Sequence, residues 1–309
     1  MNVTDWLLDS DSAIRWQVMQ DLLDTPADEI AVERARVARE GWGAQLLALQ
    51  GADGIWRDRD EQADMVTVRA LDELRALGPN PASREASQAI TRLRESEEWL
   101  RLLPEGYAFH ARPFFTGETE PCINGRIVSI GAYFGQDVHA IVDRLLGEQM
   151  ADGGWNCEQE RGSTRGSFDS TINVLEGLQE YERANGAAAA VGAARRKGEE
   201  YLLARRMFRR LSTGEVADER FTQLSFPTGY RYDVLRGLDY FRAEGGVPDS
   251  LMDDAFALVA SRRGDDGRWP LDAAPPDDTV LTFGEIAGEP SRWITLRAVR
   301  VLRWRDGPA

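Results

Sequence analysis

"QMADGGW", residues 149–155, decides how the rest of the chain is read. Its Asp-Gly pair supplies a tight turn with one position open to positive φ. The closing tryptophan is a large apolar anchor able to pack between neighbouring helices. The turn recurs as "QGADGIW" at 50–56 and as "RGDDGRW" at 263–269, where Arg263 stands in the glutamine's place. One copy would be only a turn. Three copies make a repeat, whose units bury their apolar faces on one another.

Around these turns the apolar pattern is helical and falls into two sets. "SAIRWQVMQDLL" from Ser12, "DMVTVRALDELRAL" from Asp64 and "CINGRIVSIGAYF" from Cys122 belong to the first. So do "DSTINVLEGLQEY" from Asp169, "YDVLRGLDYFR" from Tyr232 and "SRWITLRAVRVLRW" from Ser291. Each opens on a polar or small residue suited to capping and is apolar on more than one face, as expected of an inner ring. The second set starts at residues 28, 81, 137, 187 and 249; it is one-sided and charged, fitting an outer ring. No useful period-2 strand pattern appears. The expectation is an all-α chain, an α/α toroid of about six inner and five to six outer helices, forming a single domain over 1–309. Insertions near 98–121 and 207–231 are expected to decorate one mouth, because long loops commonly carry function.

Composition narrows the function classes. A hydrophobic content of 42% is ample for a core, and a net charge of −15 with a pI near 4.7 disfavours nucleic acid or an anionic membrane as partner. No stretch approaches the roughly 20 apolar residues that span a bilayer, and the start lacks a secretory pattern. Two cysteines are too few for a disulfide framework, so a reducing cytoplasm is the expected location. The oligomeric state is left open.

The stretch "LLGEQMADGGWNCE" resembles the glutamine–tryptophan motif of squalene and hopene cyclases. Their barrels, and those of protein prenyltransferase β-subunits, are α/α toroids. Class II terpene cyclases carry an Asp-x-Asp-Asp-Thr-Ala motif at an inner-helix start, whose middle aspartate is the proton donor. "SFDST" is similar, which implies Asp169 as the acid and Thr171 as the motif threonine, with Ser167 and Ser170 in place of the flanking aspartates. Prenyltransferase β-subunits instead hold zinc with Asp-x-Cys and a later histidine. "EPC" resembles the first part through Glu120 and Cys122, and Asp169 stands at the histidine.

The resemblance therefore implies an enzyme acting on a small hydrophobic, isoprenoid- or polyene-like substrate by acid-initiated cyclisation or isomerisation, with no cofactor required. Asp169 is the candidate acid, and Asp64 and Asp233, which open inner helices in the same way, are the reserves. Trp16, Phe114, Phe115, Tyr133, Phe168, Tyr230, Tyr232 and Trp293 would wall the cavity and meet a developing cation with their π faces. One alternative is a zinc-dependent lyase, hydrolase or transferase, its metal held by Cys122, Cys157 and the carboxylates of Glu120 and Asp169, since thiolates with carboxylates suit a four-coordinate zinc ion. Another is a non-catalytic toroid that binds a lipid or a protein.

Overall fold

The computed structural model describes residues 2–57, 63–96, 114–273, 279–281 and 283–307, and in it the three turns are one object built three times. The tryptophan N–H donates to a threonine hydroxyl: Trp56 to Thr67 at 3.1 Å, Trp155 to Thr171 at 3.1 Å, Trp269 to Thr295 at 2.9 Å. Each indole Nε1 donates to a carbonyl ten residues back, that of Leu46, Leu145 or Val259. All three indoles are buried. A buried N–H without an acceptor costs about 1–3 kcal/mol, which is why a threonine sits in an otherwise apolar helix face. In the first two copies the glutamine amide bonds the Gly54 or Gly153 carbonyl and reaches across to that of Ala89 or Ala194. In the third, Arg263 bonds the Gly267 carbonyl and lies over the Trp269 ring.

The described helices are α1 (Val3–Leu8), α2 (Ser12–Asp21), α3 (Ala27–Arg34), α4 (Gly41–Ala48), α5 (Ala63–Leu77), α6 (Arg84–Arg94) and α7 (Pro121–Tyr133). They continue with α8 (His139–Gly147), α9 (Phe168–Asn185), α10 (Ala189–Ala204), α11 (Val234–Glu244), α12 (Asp253–Ser261) and α13 (Arg292–Asp306). Side-chain caps set several inner starts: Asp11 accepts the Ala13 N–H, Ser167 the Ser170 N–H, Asp233 the Arg236 N–H and Ser291 the Ile294 N–H. Among the described residues, β structure is confined to isolated bridges, and no helix is long and apolar enough to cross a membrane.

The inner ring closes. Helix α5 packs on α7, α7 on α9, α9 on α11, α11 on α13 and α13 on α2. The last gap is bridged by the Trp16 indole and the Gln17 amide of α2, which donate to the Leu77 and Ala76 carbonyls of α5. The chain is thus an α/α toroid with the six predicted segments inside. The approach of α7 to α9 depends on glycine, because a Cβ on Gly125 would lie 2.5 Å from the Asn173 carbonyl oxygen.

The outer layer departs from expectation in its first unit. Helix α3, within the predicted segment at 28, has no buried residue, and the outer position before the first turn belongs to α4. "GWGAQLLA" is short and nearly all apolar, so it shows no amphipathic stripe. The turn glycines identify the missing outer helix. A Cβ on Gly54 would strike α6 at Arg92, and one on Gly153 would strike α10 at Lys197. One on Gly267 would meet Val3 of α1. Helix α1 therefore takes in the third unit the place that α6 and α10 take in the others, and the two ends of the chain complete the ring together.

The insertion at 207–231 does not merely cover a mouth, because its last residues are bonded into the ring. The Gly229 carbonyl accepts from Arg126 and Arg236, and the Tyr230 carbonyl accepts the Asn173 amide at 2.8 Å. Arg236 also donates to the Arg231 carbonyl at 2.6 Å.

Candidate functional site

Two places concentrate chemistry. The first is at the start of α7 and α9. Pro121 opens α7, putting Cys122 in its first turn. Cys157 follows the Trp155 turn, and its N–H donates to the Ser170 hydroxyl at 3.2 Å. That hydroxyl lies 3.3 Å from the Cys157 sulfur and is itself held by the capping Ser167 at 2.9 Å. The outcome is that the Cys157 and Cys122 sulfurs stand 2.7 Å apart, with Glu120 Oε2 at 3.7 Å from Cys122. Donor atoms of these three residues lie within 4.8 Å of one another. Hydrogen bonding to Cys157, aided by burial, pushes the Cys122 thiol up, while the same bond to Cys122 lowers Cys157.

Asp169 is not part of this group. Its carboxylate accepts the Tyr232 N–H at 2.6 Å, tying α9 to the loop before α11, while Ser167 caps the helix. It does not line the central cavity either. Asp169 makes this tertiary hydrogen bond because residue 169 faces the incoming loop. Thr171, the motif threonine, serves the Trp155 N–H as Thr67 and Thr295 serve theirs. Asp233 is a buried helix cap that also accepts from Ser225, and burial raises its pKa. Asp64 falls within α5, but its side chain lies outside the described residues.

The aromatic residues divide. Trp16, Tyr133 and Trp293 line the central cavity. Phe168 and Tyr232 pack with Phe221, ring centroids 4.8–5.3 Å apart, and the Tyr232 hydroxyl donates to the Met207 carbonyl; these form core rather than wall. Phe114 is buried against the edge of Phe115. Tyr230 is outside the wall, and its buried hydroxyl has no partner among the described residues.

The second place is the central cavity, of about 300 Å³, lined mainly by the C-terminal halves of the inner helices and by Phe226, Pro227 and Thr228 of the insertion. Its wall is ionic, where the sequence suggested an aromatic one. Arg126 of α7 pairs with Asp72 of α5 at 2.9 Å and Glu176 of α9 at 3.1 Å. Arg236 of α11 pairs with Glu176 at 2.8 Å. Asp239 of α11 receives Arg242, Arg297 and Arg300, and Arg300 continues to Asp21 of α2 at 3.1 Å. Burial alone would raise Glu176, but Arg236 and Arg126 hold it at about 2; Arg300, Arg242 and Arg297 likewise overcome burial to keep Asp239 low. Glu73 goes the other way, pushed by burial to about 8. One of its oxygens accepts the Val280 N–H at 3.1 Å, and the other has no partner among the described residues. The available signal was charge recurring inside helices that are otherwise apolar all round, as in "NVLEGLQEYER" and "WITLRAVRVLR".

No protein-family model matches the chain, and no curated protein matches it. Among solved structures, one titled as a polysaccharide lyase is similar at 11% identity and a TM-score of 0.48, covering 97% of this chain and 95% of its own. The toroid assignment rests on the closed inner ring and not on that likeness.

Proposed function

We propose that the chain is a zinc-dependent enzyme of the lyase, hydrolase or transferase kind, with Cys122, Cys157 and Glu120 as the metal ligands. The carrying observation is that the only two cysteines, from separate helical units, meet beside a carboxylate with all three donor atoms within 4.8 Å. Two sulfurs and one carboxylate suit zinc and leave one position of a tetrahedral set for substrate. Zinc so bound would supply Lewis-acid polarisation of a substrate atom.

The protein's own part is positioning. Ser170 orients the Cys157 sulfur and donates to it, as the partners behind metal ligands usually do. The Tyr230 hydroxyl, raised first by burial and sensitive to the charge of Cys122, has no hydrogen-bond partner among the described residues. In this reading it holds a substrate oxygen. Acid-initiated cyclisation of an isoprenoid is the less supported reading, since it asks for a dry aromatic wall and a free Asp169 carboxyl.

Metal analysis of untagged protein from zinc-supplemented growth tests the proposal. About one equivalent per chain is expected, lost in Cys122→Ser and in Cys157→Ser while the helical circular dichroism is kept. Zinc-free protein whose native thiols are both freely alkylated would end the reading.

A further inference from the structure

The central cavity is separate from the thiol pair, since neither cysteine is in its wall. We propose that it is a binding site for a small oxyanion, a molecule carrying carboxylate or phosphate groups. The chain carries a net charge of −15, yet here the balance reverses, with eight arginines facing six carboxyl groups among the described residues. Burial keeps one of those groups, Glu73, neutral at pH 7.

Part of this charge is structural. The bridges from Arg126, Arg236 and Arg300 staple neighbouring inner helices, and stapling would be the whole explanation if every cation had its acid. Arg34 does not. Its Nε donates to the Gly78 carbonyl at 2.9 Å and its Nη2 to the Tyr133 hydroxyl at 3.0 Å. Its guanidinium lies 4.8 Å from the centre of the Trp16 ring, and no carboxylate pairs with it among the described residues.

Two donors buried behind the wall are also unpaired. Arg126 Nε and Trp293 Nε1 have no hydrogen-bond partner among the described residues, although their side chains are almost wholly buried. Such donors are rare in native proteins, because each has given up water for nothing, at a cost of about 1–3 kcal/mol. Burial, then the neighbouring Arg236, push the pKa of Arg126 down, although Asp72 and Glu176 pair with it. An oxyanion answers the excess of cations, because its charge suits a guanidinium fork and its oxygens accept hydrogen bonds. A cavity of about 300 Å³ takes a molecule of metabolite size.

Titration calorimetry on the full chain tests this with two probes, citrate and inorganic pyrophosphate, at constant ionic strength with chloride as control. Saturable binding of at least one probe at sub-millimolar concentration is expected, weakened by about tenfold or more in Arg34→Gln. Citrate alone binding assigns the carboxylate class, and pyrophosphate alone assigns the phosphate class. Arg34→Gln leaves no acid without its base, so the fold should survive. Should its melting curve show otherwise, Arg34→Lys keeps the charge, loses the planar fork and keeps the test. Failure of both probes to saturate below about 10 mM, or affinity unchanged in both variants, overturns the proposal. Zinc content is unaffected by either result, so this inference and the metal proposal fail independently.

Discussion

The sulfurs of Cys122 and Cys157 stand 2.7 Å apart although 35 positions separate the two residues in the chain. Glu120 is the exposed member of that group, so its contribution is to affinity rather than to folding. Glu120→Gln should keep the melting temperature and weaken zinc binding by about tenfold or more, read by competition with a chromophoric chelator. Unchanged affinity would remove Glu120 from the ligand set.

Asp169 and Tyr232 make a contact that ties α9 to the loop before α11. Asp169→Ala leaves the Tyr232 N–H without its 2.6 Å acceptor and should cost about 1–3 kcal/mol in urea denaturation. Asp169→Asn keeps an acceptor oxygen and should cost less. Equal stability of wild type and the alanine variant would show that the bond does not matter.

The three threonines should behave alike. Thr67→Val, Thr171→Val and Thr295→Val each remove the acceptor of a buried tryptophan N–H and should each destabilise by about 1–3 kcal/mol. If Thr171 were a motif residue rather than part of the turn, its variant would stand apart from the other two in denaturation.

Stability should depend on pH through two glutamates of the cavity wall, with opposite sign. Glu73 is raised from 4.5 to about 8, so the unfolded chain loses this proton first as pH rises. Its contribution is complete below 4.5 and declines until the pH has passed about 8. Glu73→Gln should flatten that decline, and the variant's melting temperature relative to wild type should be higher at pH 8 than at pH 5. Glu176, held at about 2, contributes above 4.5 and loses that contribution as pH falls toward 2. Parallel melting curves for wild type and Glu73→Gln across the alkaline window would contradict the first assignment.

What the sequence determined by itself was everything carried by local pattern. Periodicity marked the six inner helices, and the Asp-Gly-x-Trp spacing marked the turns, because an indole that bonds a carbonyl ten residues back is a short-range device. It also offered Cys122, Cys157, Glu120 and Asp169 as one set, through residue chemistry and a resemblance, and the structure brings the first three together. Helix α4 escaped because eight nearly all-apolar residues have no stripe to read, and α1 because its role depends on where the other end of the chain arrives. Only the tertiary structure decided which carboxylates are free. Asp169 was spent on a backbone N–H 63 residues away, and Glu73, which looked like any helix glutamate, was buried in the cavity wall. The direction of a side chain in a closed ring is set by the packing of both neighbouring helices. The ionic wall follows from that packing, since its arginines and acids lie on different helices and meet only when the ring closes.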